Sequence, residues 1–104
     1  MEGLWYAHFT SGPMNGDGMA VLRHGEILGG DPSNTYTGSY QADGRMLYVN
    51  VRVSPYAASH VPSTLKHPLN FFLQGTIAGD VANVTGHADN KPGVMVAVEL
   101  HRAA

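Results

Sequence analysis

The most constraining feature of this chain is a pair of alternating segments, residues 35–40 and 46–53, on either side of Asp43-Gly44. Asp-Gly is a preferred pair for a two-residue type I′ hairpin turn. Such a turn predicts that Ala42 faces Arg45 and that the pairing continues outward to Tyr36 and Val51. Period-two alternation is typical of a strand pair with one buried and one solvated face. The predicted inward residues are Tyr36, Gly38, Tyr40, Leu47, Val49, Val51 and Val53, and the outward ones are Thr35, Thr37, Ser39, Tyr48, Asn50 and Arg52.

Turn chemistry divides the rest of the chain into further short strands. His24-Gly25 predicts a second type I′ turn, which pairs Arg23 with Glu26. Asp31-Pro32-Ser33-Asn34 predicts a turn that the aspartate side chain caps. The segment 11–18 contains Asn-Gly and Asp-Gly dipeptides and is predicted to be a polar loop. The other predicted strands are Gly3–Thr10, Met19–Arg23, Glu26–Gly30, Leu69–Ile77, Val81–Ala88 and Val94–Arg102.

Eight short strands joined mainly by hairpins predict an all-β fold, an eight-stranded antiparallel up-and-down barrel formed by residues 1–104 as one domain. Closure removes the open sheet edges, and a barrel of this size holds packed side chains or one small ligand. A two-sheet sandwich is the alternative. The connection Ser54–Pro68 contains three prolines and is predicted to form at most one short helical turn near residues 61–66.

Composition excludes several classes of function. The chain has no cysteine, so thiol catalysis, disulfides and thiolate metal sites are excluded. Its net charge is −2 and its six Lys and Arg residues are scattered, whereas nucleic-acid binding needs a clustered basic face. No apolar stretch approaches the ~20 residues of a membrane helix, and no leader pattern begins the chain. We therefore expect a cytoplasmic protein with no nucleic-acid or membrane partner.

No motif in the sequence predicts catalysis. The six histidines show no helical HxxxH spacing, so no metal site is predicted. Ser39 lies in GSY rather than in a nucleophile turn of the GxSxG type. Gly29-Gly30-Asp31 lacks the following helix that would hold a phosphate. We expect a protein that is not an enzyme and needs no cofactor.

Two sets of side chains are candidates for binding. Tyr36, Tyr40 and Val49 are predicted to point into the barrel, where the tyrosine hydroxyls either make structural hydrogen bonds or line a small ligand cavity. Four apolar residues are predicted to point outward and to form a homodimer surface, because gathered aromatic and Met residues are typical of interfaces. These four are Met46, Tyr48, Phe72 and Met95.

Several short motifs occur in an order and spacing that resemble the GrlR-like family, which contains a negative regulator of a type III secretion locus. The motifs are GLWY near the N-terminus, Gly16-Asp17-Gly18-Met19, Gly29-Gly30-Asp31, Tyr36–Tyr40, Val61–Leu65 and Pro92–Arg102. The resemblance implies a lipocalin-like eight-stranded barrel that forms a homodimer. It also implies a transcription regulator that sequesters an activator protein instead of touching DNA.

The same resemblance implies that a protein partner binds the hairpin between strands four and five, where the named member of the family carries an acidic motif. In this chain the hairpin offers Gln41, Asp43 and Arg45. We expect a regulatory protein that dimerises and binds a protein partner. The alternative is a carrier of a small apolar molecule inside the barrel. An empty cavity bordered by Tyr36 and Tyr40 would favour the carrier, and a filled interior would favour the regulator.

Overall fold

The computed structural model of the chain describes residues 1–56, 59, 60, 63, 65–89 and 91–104. Each strand is antiparallel to the next, and the last strand pairs with the first, so the sheet closes into an eight-stranded barrel. The barrel prediction is confirmed and the sandwich alternative is wrong. The strands are β1 Gly3–Ser11, β2 Met14–Arg23, β3 Glu26–Gly30, β4 Asn34–Asp43, β5 Met46–Pro55, β6 Leu69–Ala78, β7 Val81–Ala88 and β8 Lys91–Arg102.

Two of the predicted turns form as expected. His24 and Gly25 adopt φ of 52° and 79°, which is the pattern of a type I′ turn, and Arg23 pairs with Glu26. In the β3–β4 turn the Oδ1 atom of Asp31 accepts hydrogen bonds from the backbone N–H groups of Ser33 and Asn34, each at 2.7 Å. Both turns therefore follow from their local sequence.

The predicted register of the β4–β5 hairpin is wrong by two residues. Ala42 pairs with Leu47 instead of Arg45, and Tyr36 pairs with Val53. The loop is Gly44-Arg45, in which only Gly44 has a positive φ, at 60°. This is the type II′ arrangement, with glycine at the first central position, and it spares the aspartate the positive φ that a type I′ turn would impose. Since side chains alternate with period two, the shift leaves the predicted inward and outward faces unchanged.

The predicted polar loop before β2 is also wrong. Strand β2 begins at Met14, which pairs with Ser11, so the loop contains only Gly12-Pro13. The Asp-Gly dipeptide lies inside the strand because Gly18 makes room for an aromatic side chain. A Cβ at Gly18 would lie 2.5 Å from the hydroxyl oxygen of Tyr36. Glycine in a strand commonly marks such a close approach.

The remaining strand boundaries differ little from those predicted. Strand β5 continues to Pro55, and β8 begins at Lys91 instead of Val94. The predicted helical turn falls partly on residues 61, 62 and 64, which lie outside the described ones. The described part of the chain contains no helix that could span a bilayer.

One end of the barrel is closed by a buried tryptophan. Trp5 has no exposed surface and donates a hydrogen bond from Nε1 to the carbonyl oxygen of Met1 at 3.1 Å. The Arg102 guanidinium lies 4.7 Å from the centre of the indole ring. Leu47 and Val84 are fully buried in the same core. Side chains therefore fill the barrel around Trp5.

Candidate functional site: the barrel cavity

The interior of the barrel is not completely filled. Aliphatic and aromatic side chains line it without meeting everywhere, and they leave a cavity of about 270 Å³. Most of the wall is apolar, and many of these residues are only partly buried because they face the cavity. The wall includes Val51, Val53, Leu69, Val94, Val96 and Val98. Such a space, mainly apolar with a few polar groups, has the anatomy of a small-molecule site.

Four polar side chains of the described residues line the cavity, and three of them belong to the turn between β3 and β4 or to the start of β4. The four are Ser11, Asp31, Asn34 and Tyr36. The Tyr36 hydroxyl donates a hydrogen bond to Oδ2 of Asp31, and Ser11 donates to the carbonyl oxygen of Met95 at 2.6 Å. The cavity wall is therefore apolar except at the group of Asp31, Asn34 and Tyr36 and at Ser11 on β1.

Tyr36 is 8% exposed, and its environment keeps the hydroxyl protonated. Burial, together with the hydrogen bond to the Asp31 carboxylate, raises the pKa of Tyr36 far above its usual range. Desolvation disfavours the phenolate, and the neighbouring negative charge disfavours it further. Tyr36 is thus a permanent hydrogen-bond donor to Asp31 at neutral pH.

The connection between β5 and β6 is tied to the same end of the barrel. Ser63 donates a hydrogen bond to Oδ1 of Asn34 at 2.6 Å, and the Tyr56 N–H donates to the Ser33 carbonyl oxygen at 2.8 Å. Leu65 lines the cavity. The described residues of this connection thus lie beside the polar group.

Two of the three residues predicted to contact an interior ligand line the cavity, and the third, Tyr40, does not, although it pairs directly with Val49. Tyr36 and Val49 line the cavity. Tyr40 packs against the core, four residues further along β4, which is about 13 Å at the rise of a strand. Asp31 was predicted only as a turn cap, and its place in the cavity wall has no local sequence signal.

The predicted partner-binding hairpin lies at the closed end, away from the cavity. Gln41, Asp43 and Arg45 are all exposed. Within the described residues, none of the three takes part in an ion pair. The hairpin is accessible to a partner, and its two charged residues, Asp43 and Arg45, have opposite signs.

The residues predicted to form a dimer surface do point outward, but they do not form one continuous patch. Phe72 is 47% exposed and lies beside Tyr48, with which it lines a shallow depression on the outside of the barrel. Met95 is separated from Phe72 by His87 along one row of paired residues. Met46 lies two residues before Tyr48, towards the closed end.

A second exposed apolar surface, not predicted, lies on β1 to β3. Val21 pairs with Leu28, and Met19 pairs with Tyr6. Leu28 is the most exposed large apolar side chain among the described residues, at 66%. The signal in the sequence was the outward alternation of residues 19, 21 and 28 within the predicted strands Met19–Arg23 and Glu26–Gly30. We call this set of four residues the β1–β3 patch.

An exposed polar cluster on β1, β2 and β8 accounts for two of the histidines. His8 Nδ1 lies 2.7 Å from Asp17 Oδ1, and His101 Nε2 lies 2.5 Å from Glu99 Oε1. Hydrogen bonds from Tyr6 and His8 hold the pKa of Asp17 below its usual range. The described residues contain no group of three or more His, Asp or Glu side chains that could hold a metal ion.

Comparison with known proteins does not assign the chain to a family. No protein-family model matches the chain, and no curated protein matches it. The resemblance to the GrlR-like family stays a prediction that rests on the sequence motifs.

Proposed function

We propose that this chain is a non-enzymatic binding protein that holds a small, mainly apolar molecule inside its barrel. The observation that carries the proposal is the unfilled space inside the barrel, because a core usually packs to the density of an organic crystal. The cavity of about 270 Å³ has Tyr36 and Val49 in its wall. Of the two tyrosines expected to border a carrier's cavity, Tyr36 does so and Tyr40 does not.

The volume sets the size of the molecule. An engineered apolar cavity of about 150 Å³ binds benzene. A space roughly twice as large takes a ligand of about a dozen non-hydrogen atoms, and a dissociation constant on the order of 10 µM is reasonable for a ligand of that size. Butylbenzene is a suitable probe because it is apolar and fits this limit.

Titration of the protein with butylbenzene, followed by calorimetry and by NMR of the valine methyl groups, tests the proposal. Val98 points into the cavity from β8, so Val98→Phe should fill the space and abolish binding. Val81 is 38% exposed on the outside of β7, so Val81→Phe is the matched control and should bind like the wild type. Equal binding by the two variants, or none by the wild type, would refute an interior site.

A second candidate is a cytoplasmic regulator that dimerises and binds a protein partner, as the GrlR-like resemblance implies. The observation that favours it is the β1–β3 patch, since aromatic and Met residues on one surface are typical of interfaces. Light scattering at micromolar concentration should give twice the monomer mass of 11.1 kDa. Leu28→Glu should restore the monomer if the β1–β3 patch is the interface, and Phe72→Glu should do so if the dimer uses the other face. A monomeric wild type would refute the homodimer.

A further inference from the structure

We infer that the ligand of the barrel cavity carries a positively charged amine, which binds the Asp31 carboxylate, and an apolar body that occupies the valine-lined space. This inference rests on the proposed binding function and specifies the chemical class of its ligand. It follows from the number and direction of the hydrogen bonds that Asp31 accepts.

The hydrogen bonds that Asp31 accepts from the described residues leave room for one more donor. A carboxylate accepts about four hydrogen bonds, two at each oxygen. Oδ1 accepts the two backbone N–H groups of Ser33 and Asn34 at 2.7 Å. Oδ2 accepts the Tyr36 hydroxyl. The Asn34 side-chain nitrogen lies 3.4 Å from Oδ1 and 3.5 Å from Oδ2, and both distances exceed normal hydrogen-bond length. A ligand can therefore donate to Oδ2.

The charge at this position is also unpaired. Ion pairs in the described part of the chain join His8 to Asp17, His24 to Glu2, His101 to Glu99 and Arg102 to Asp80, and none involves Asp31. Of the residues that line the described cavity, Asp31 alone is charged. A cation therefore gains a charge-assisted hydrogen bond there, whereas an anion is repelled.

The hydroxyl groups beside the cavity are not available to an anionic ligand, and the one other side-chain donor among the described residues there, Asn34 Nδ2, lies 3.4 and 3.5 Å from the two Asp31 oxygens. The Tyr36 hydroxyl donates its proton to Asp31, the Ser11 hydroxyl donates to the Met95 carbonyl oxygen, and Ser63 donates to Asn34. Each of these donors is already used within the protein. The free hydrogen-bonding capacity at Oδ2 of Asp31 thus accepts hydrogen bonds and does not donate them.

Three probes of similar size separate the possibilities: phenylpropylamine, its uncharged isostere butylbenzene, and phenylpropionate. We expect the amine to bind about tenfold more tightly than butylbenzene at neutral pH and phenylpropionate to bind most weakly. If butylbenzene binds as tightly as the amine, or phenylpropionate binds best, the inference about the amine is wrong while the interior site stands. If none of the three binds, the proposed function fails and this inference with it.

Two variants test the residue assignment. Asp31→Asn keeps an oxygen for the turn hydrogen bonds and removes the charge, so it should lose the tenfold preference and still bind butylbenzene, which also reports an intact barrel. Tyr36→Phe removes the hydroxyl and keeps the carboxylate, so the preference for the amine should persist. Loss of the preference in Tyr36→Phe but not in Asp31→Asn would assign the contact to the hydroxyl and overturn the inference. Should Asp31→Asn fail to fold, the three probes on the wild type still decide whether the site prefers a cation.

Discussion

Substitution of Gly38 by alanine is expected to destabilise the barrel, because the strands leave no room for a Cβ at this position. Gly38 faces inward on β4 and pairs with Val51 of β5. A Cβ there would overlap the carbonyl oxygen of Asn50 and lie 2.9 Å from the Cα of Val51. Both neighbours are backbone atoms, so no side chain can rotate away, and two paired strands would have to separate. Overpacking of this kind costs about 1–3 kcal/mol.

The expected loss is measurable by thermal unfolding. For a domain of this size, 1 kcal/mol corresponds to a change of about 4–8 °C in Tm, so Gly38→Ala should melt roughly 5–20 °C below the wild type. Gly93→Ala is the matched control, because a Cβ at Gly93 would have no described atom within 4 Å and the φ of this residue is not positive. Removing glycine at a compatible site stabilises by about 0.4–1 kcal/mol through the unfolded chain. If Gly38→Ala melts at or above Gly93→Ala, the close approach between β4 and β5 does not constrain this residue.

Three further predictions concern the closed end, the cavity and the core. Arg102→Ala should lower the free energy of unfolding, measured in urea, by about 1–2 kcal/mol because it uncovers Trp5. Asp80→Asn breaks only an exposed ion pair and should lower it by less than about 1 kcal/mol. Equal losses in the two variants would assign the effect to the ion pair. Because the pKa of Tyr36 is raised in the folded state, the unfolded chain loses that proton at lower pH than the folded one. The free energy of unfolding should therefore fall above pH ~10 by up to about 1.4 kcal/mol per pH unit. Tyr36→Phe should flatten this decline, and an unchanged slope in the variant would contradict the prediction. Val49→Asp should abolish cooperative unfolding followed by circular dichroism, since an unpaired buried carboxylate costs several kcal/mol of a total of about 5–15; a wild-type transition would contradict the burial of Val49.

The faces of the strands could be predicted from the sequence, but the pairing between strands could not. Alternation assigned Tyr36 and Val49 to the interior, and both lie there. The register depended on the turn type, and Asp43-Gly44 fits two turns that differ by two residues. Both registers put the same side chains inside, so the hydrophobic pattern cannot choose between them. The choice depends on which loop residue must adopt a positive φ.

The error before β2 has a different origin. An Asp-Gly dipeptide is a turn signal, but Gly18 is needed because the Tyr36 ring crosses the barrel interior beside it. The two residues are distant in sequence and lie on strands that do not pair with each other. Only the closed barrel brings them together, so no local pattern could distinguish a turn glycine from one that accommodates an aromatic ring.

The cavity could not be predicted because hollow and filled barrels share the same alternation. The difference lies in the size of the inward side chains at each end. Trp5 fills the cross-section at one end, whereas valines on β5 and β8 leave it open at the other. The buried residues form one cluster that includes Trp5, Val49 and Phe71, and the other valines of β5 and β8 pack against it. The unfilled space lies beside this cluster, with the Asp31 carboxylate in its wall.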